Sequence, residues 1–131
     1  MLQYEIIPVT HFEQNCSLVW CDQTHEAALI DPGGDMAKLQ AAIAEKNLTL
    51  KALWLTHGHL DHAGATAPLA RHYGVPIIGP HPADQFWLAG MPMQAQMFGF
   101  PATESFTPTQ WLHDGDTVQI GQSALQVRHT P

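Results

Sequence analysis

The sequence predicts an α/β fold in which strands and helices alternate around a buried sheet. Three observations point there. Short apolar runs recur between turn residues; segments with helical spacing, beginning at Met36, Leu39 and Ile43, separate them; and Ala52-Leu53-Trp54-Leu55 is apolar without alternation, as in a strand covered on both faces. At 131 residues and 45% hydrophobic, with no repeat, linker or low-complexity stretch, the chain is sized for one domain, residues 1–131, with a modest core.

Taken in order, Tyr4 to Val9, Asn15 to Cys21 and Glu26 to Asp31 read as three short strands, the last two joined as a hairpin through Asp22-Gln23-Thr24-His25. Asp35 is of a residue type that caps helices, and it precedes a helix from Met36 to Lys46 whose buried face is Met36, Leu39 and Ile43. The apolar run at 52–55 is the next strand, and a second helix spans Gly64 to Tyr73, ended by Gly74. Val75 to Gly79 reads as a strand, Pro82 to Ala89 as a short helix, and Thr117 to Ile120 with Ala124 to His129 as a hairpin turning at Gly121-Gln122. The stretch Gly90 to Pro108 has Met91, Met93, Met97, Phe98 and Phe100 among prolines and no clear period. It is either a loop packed over the core, since Met fills irregular gaps, or a cover over a substrate mouth.

Composition excludes several function classes. A net charge of −7 with five Lys and Arg argues against nucleic acid as partner, because such binding rests on basic patches that neutralise phosphate. No apolar run approaches the length that spans a bilayer, and the N-terminus lacks a basic region followed by an apolar stretch, so no membrane and no secretion are expected. Cys16 and Cys21 sit five apart on one predicted strand, facing opposite ways, and cannot pair with each other; reduced thiols in a cytoplasmic protein are the simpler inference.

The chemistry is concentrated in Thr56-His-Gly-His-Leu-Asp-His-Ala-Gly64, where His57, His59, Asp61 and His62 fall within six positions. His is common here, 9 of 131 residues. Even so, H-x-H-x-D-H arises by chance in only about one in five hundred sequences of this composition. Neutral imidazoles with one carboxylate suit Zn(II) and similar divalent ions, and alternate residues on an extended turn point the same way. His57 and His59 can then grip one ion while Asp61 and His62 face a second. Gly58 lets the chain bend tightly between two ligands. The motif follows the buried strand at 52–55 and leads into a helix, which is where open α/β sheets place their sites.

T-H-x-H-x-D-H-x-G resembles the signature of the metallo-β-lactamase superfamily, and the chain around it is most similar to the glyoxalase II branch, the hydroxyacylglutathione hydrolases. Asn15-Cys16, Asp31-Pro32-Gly33-Gly34, the segment Leu48 to Trp54 and Asp114-Gly115-Asp116 also carry the resemblance. The motif specifies the superfamily more tightly than the branch, since lactonases, persulfide dioxygenases, RNA-processing nucleases and β-lactamases share it with small changes. The resemblance implies an αββα sandwich of which this chain covers roughly the N-terminal half. The third His of the first ion follows a T-P-G in that family. Here the chain reads Val127-Arg128-His129-Thr130-Pro131, so the remaining ligands and the glutathione-binding residues are expected beyond Pro131, and His129 is not carried over as a ligand.

The activity implied is cleavage of a glutathione thioester of the S-lactoylglutathione type to a hydroxy acid and glutathione, a step of methylglyoxal detoxification, through a hydroxide held by two divalent ions. Zn is expected first, with Fe or Mn as alternatives. Asp61 is the catalytic residue as well as a ligand, orienting the hydroxide and accepting its proton. The alternatives are a mononuclear iron persulfide dioxygenase on the same scaffold and, in another class, an inactive or partner-dependent fragment. Asp31, ending a strand beside the one that leads into the motif, is either a partner for the free ring N–H of a ligand imidazole or a plain turn residue. His11 lines the mouth of the site or is a solvated loop residue; His81 and His113 read as surface residues. Oligomeric state is not legible.

Overall fold

The computed structural model describes residues 2–10, 14–56, 63–98, 106–121 and 123–126. Five strands form one sheet in the order β1 (Leu2–Val9), β2 (Gln14–Cys21), β3 (Glu26–Ile30), β4 (Thr49–Trp54) and β5 (Ile77–Ile78). The first three are antiparallel, while β3, β4 and β5 run parallel. Parallel neighbours need long crossovers, and α1 (Met36–Glu45) and α2 (Thr66–Tyr73) provide them.

Alternation along the central strands divides the core into two layers. Ala27 and Leu29 of β3 with Leu50 and Leu53 of β4 face α1 and α2, meeting Leu39, Ile43 and Leu69. Ala28, Ala52 and Trp54 face the other way, onto Val118 and Ile120 of a two-stranded sheet, β6 (Thr117–Ile120) and β7 (Ser123–Gln126). Lys51 bulges out where the β3–β4 register shifts, so both apolar sets stay in phase with their layers. Sheet against sheet with helices outside is the layering that the resemblance implies.

Helix ends follow local chemistry in one case and depart from it in another. Gly74, at φ 64, ends α2 and donates its N–H to the Ala70 carbonyl, as its lack of a Cβ permits. Asp35 precedes α1 as expected, but its side chain makes no bond to the helix it precedes. Its Oδ2 accepts the N–H of Thr10 at 2.9 Å, so the carboxylate ties the β1–β2 connection down instead of capping. Gly34 lies under the same contact, where a Cβ would come within 2.8 Å of the Thr10 methyl.

The expected helix from Pro82 to Ala89 is a 3₁₀ turn (Pro82–Asp84) followed by α3 (Gln85–Ala89). In the stretch without a clear period, Met91–Phe98 is a helix, α4. Met91 and Ala95, four apart, enter the core, while Met93 and Met97 face outward. Pro92 is tolerated because it lies in the first turn, where an N–H has no helical partner. Residues 99–105 lie outside the described residues. The terminal hairpin has its first strand where expected; its second is described to Gln126. Among the described residues no helix is long and apolar enough to cross a membrane.

Candidate metal centre

His57, His59, Asp61 and His62 lie outside the described residues, as does His11. The frame that receives the ligand segment is described on both sides of it. Strand β4 ends at Trp54, and Leu55 extends the sheet by donating its N–H to the Ile78 carbonyl at 3.0 Å. Thr56 is therefore delivered at the carboxyl edge of the parallel strands.

Asp31 meets it there. The residue follows β3 in the left-handed region, at φ 59, which a short polar side chain tolerates better than a branched one. Its N–H donates to the Trp54 carbonyl at 2.9 Å, and its buried carboxylate turns toward Thr56. Oδ1 accepts the Thr56 N–H at 2.8 Å and Oδ2 accepts the Thr56 hydroxyl at 2.6 Å. One residue later, the Pro32 carbonyl accepts the N–H of Ala65 at 2.9 Å. A single turn, Asp31-Pro32, thus holds the chain on both sides of the ligand segment. The sequence places Asp31 beside β4 but does not reveal that Thr56 is its partner or that Pro32 secures the far side. The available signal was a strand-terminal carboxylate facing a Thr that offers two donors.

Two groups nearby define the polarity of the frame. Cys16, buried in β2, has its thiol pushed up to about 12, first by burial and then by the negative charge of Asp31. It is a neutral core residue rather than a nucleophile. Thr66, the first residue of α2, is fully buried, and its Oγ1 is the one buried side-chain polar atom without a hydrogen-bond partner among the described residues. A buried, unspent hydroxyl four residues after His62 fits a site that is completed by something other than protein alone. The donor set of the segment, three imidazoles and a carboxylate, fits divalent metal by its chemistry.

A second pair of histidines comes together near the same edge. His81 and His113 pack edge to face, with ring centroids 5.5 Å apart, while His113 stays exposed as expected of a surface residue. Gly79 brings this segment against β4: at φ 87, a Cβ there would lie 2.5 Å from the Leu55 carbonyl oxygen. Nδ1 of His81 accepts the N–H of Ala83 at 3.1 Å and caps the 3₁₀ turn. A neutral imidazole accepting at Nδ1 carries its proton on Nε2, the reverse of a metal-bound ring that donates its second N–H, so the pair reads as structural. Among the described residues no group of three or more His, Cys, Asp or Glu could hold an ion.

The family model described as the metallo-beta-lactamase superfamily matches residues 9–131. Hydroxyacylglutathione hydrolase GloC of Haemophilus influenzae is 45% identical over 131 residues, covering 99% of this chain and 61% of that protein. Among solved structures, the BLEG-1 B3 metallo-beta-lactamase superposes with a TM-score of 0.84 at 28% identity, over 98% of this chain and 62% of that one. TTHA1623 in a di-iron-bound form superposes with a TM-score of 0.78 at 30% identity, over 87% of this chain and 56% of that one. The chain thus spans about three fifths of the length of these relatives.

Proposed function

Since the chain belongs to the metallo-beta-lactamase superfamily, we propose that it forms the metal-binding part of a hydrolase that cleaves a glutathione thioester of the S-lactoylglutathione type. The observation that carries this reading is the Asp31-Pro32 turn, which fixes the chain immediately before and shortly after the four ligands. Similarity to a hydroxyacylglutathione hydrolase supports the substrate class.

In this reading His57 and His59 hold one ion, Asp61 and His62 contribute to a second, and Asp61 takes the proton released as the thioester is attacked. Bound divalent ions, Zn first and Fe or Mn as alternatives, supply water activated near neutral pH and a polarised carbonyl. The protein's own contribution is positional. The two bonds from Thr56 to Asp31 set where the segment begins, and a carboxylate ending β3 beside β4 suits the free ring N–H of a ligand His. A thiolate leaves without a strong general acid, so the site needs no second titratable group for that step. Cys16 and Cys21 form no disulfide, which is consistent with a reducing, cytoplasmic setting.

Full-length protein loaded with zinc should hydrolyse S-lactoylglutathione and bind two ions per chain. One tightly held iron, with oxygen consumed on a glutathione persulfide and no thioester cleavage, would replace this reading with the dioxygenase.

A further inference from the structure

Among the described residues only two polar or charged side chains are buried, Asp31 and Thr66. They flank the same stretch of chain. Asp31 holds Thr56, before the four proposed ligands, and Thr66 follows Ala65, whose N–H bonds the carbonyl of Pro32, the neighbour of Asp31. The Asp31 carboxylate is spent on the Thr56 N–H and hydroxyl at 2.8 and 2.6 Å, whereas Thr66, with no exposure at all, leaves Oγ1 without a partner. Its neighbours along the chain, Ala63, Ala65 and Ala67, are buried and apolar. Valine has the shape of threonine and would fill this place without stranding a hydroxyl.

Strands β4 and β5 run parallel, so the crossover helix between them, α2, starts at the carboxyl edge of the sheet, where Thr56 leaves it. Thr66 stands at that end of α2. We propose that Thr66 is a positioning residue of the metal centre, its hydroxyl accepting the ring N–H that His62 retains once its other nitrogen is on an ion. The inference rests on the metal-binding role proposed above for His57, His59, Asp61 and His62. An imidazole bound to metal through one nitrogen has one N–H left, and an acceptor for it fixes the ring's orientation and keeps it basic. Three histidines in the segment bring three such donors. His62 is the nearest of them to Thr66 along the chain, and Ala63, Gly64 and Ala65 put no side chain larger than a methyl between the two. A hydroxyl, unlike a carboxylate, accepts this bond without adding negative charge. On this account the unspent hydroxyl is a cost carried by the metal-free protein and recovered when the ion is bound.

Full-length protein carrying Thr66→Val or Thr66→Ser, titrated with zinc against a chromophoric chelator and melted without metal, tests this. Val keeps the shape and drops the hydroxyl, while Ser keeps the hydroxyl and drops the methyl. Zinc at the second position should weaken by at least about tenfold in Thr66→Val and stay within about threefold of wild type in Thr66→Ser. Metal-free melting should run the other way, with Thr66→Val no lower than wild type and Thr66→Ser below both, because the buried methyl rather than the hydroxyl contributes to packing there. In zinc-loaded wild type, proton NMR should show a ring N–H of His62, assigned by its loss in His62→Ala, protected from exchange with water, and Thr66→Val should remove the protection. Two zinc ions bound as tightly in Thr66→Val as in wild type overturn this inference alone. So does a Thr66→Val protein that loses zinc and thermal stability together, or a Thr66→Ser protein that loses zinc as well, since packing would then account for the effect. A His62 ring N–H that exchanges freely in the loaded wild type overturns it whether or not the valine variant folds. A wild-type protein that binds no divalent metal overturns the proposed function along with it.

Discussion

Removing the Asp31 carboxylate should loosen the frame of the ligand segment by an amount that two substitutions can apportion. In Asp31→Asn the left-handed backbone at φ 59 is retained, since Asn adopts it readily. The amide oxygen can still accept the Thr56 N–H, and the Thr56 hydroxyl can rotate to accept from the amide nitrogen. What is lost is charge assistance, so about 1 kcal/mol is expected. Asp31→Ala loses both bonds, at 2.8 and 2.6 Å, and places a Cβ-bearing residue without a local hydrogen bond in the left-handed region. Bonds to a charged acceptor contribute about 1.5–3 kcal/mol each when buried, but Thr56 is exposed and water replaces part of that, leaving about 1 kcal/mol per bond. Backbone strain adds about 1 kcal/mol, for a total near 3 kcal/mol. Urea unfolding at pH 7 reads this directly, and for a chain of this size the melting temperature should fall by roughly 10 °C. Bound zinc should fall in the same order, wild type above Asn above Ala. An Asp31→Ala protein within about 0.5 kcal/mol of wild type would refute the claim that this carboxylate secures the segment.

The thiol of Cys16 is held neutral to about pH 12, against 9.0 for an unperturbed one. Its contribution is therefore fully present below about pH 9 and lost as pH rises toward 12, about 4 kcal/mol in all, because the unfolded chain releases the proton first. Urea unfolding between pH 8 and about 10.5 should show this decline in wild type and a shallower one in Cys16→Ala. Gly79→Ala should destabilise by about 3 kcal/mol or more, or prevent folding, since its Cβ would lie 2.5 Å from the Leu55 carbonyl oxygen at a φ of 87; thermal melting of the purified variant checks it. In full-length protein His59→Ala should lose metal and thioesterase activity together, whereas Asp61→Asn should keep much of the first-site metal and lose at least about a hundredfold in turnover; metal analysis beside the assay separates them.

What could be read from the sequence was what depends on near neighbours. The uninterrupted apolar run before Thr56, the hairpin through 22–25 and the Gly74 stop each follow from a few adjacent residues, and each is present. Asp35 shows the limit: its residue type signals a helix cap, but the donor it serves is Thr10, 25 residues away, and no local pattern reports such a pairing. Thr56 and Asp31 are separated by the same interval. The α4 helix was missed because its buried side is only Met91 and Ala95, and because outward-facing methionines blurred the periodicity that marks an amphipathic helix.

Because one turn holds both Thr56 and Ala65, the chain on either side of residues 57–62 is tied to a common anchor. Closing the ends of such a span in advance removes part of the entropy that ordering a free loop would consume, which in the proposed function metal would otherwise have to supply. In the proposed function, substitutions between these anchors would alter ligand type without altering where the chain leaves the sheet at Thr56 or enters α2 after Ala65. A shift of the Asp31-Pro32 turn, in contrast, carries both flanks along together. In the proposed function, metal preference could drift by exchange of side chains within a span that keeps its anchoring points, and the turn outside it is where a single change would disturb every proposed ligand at once.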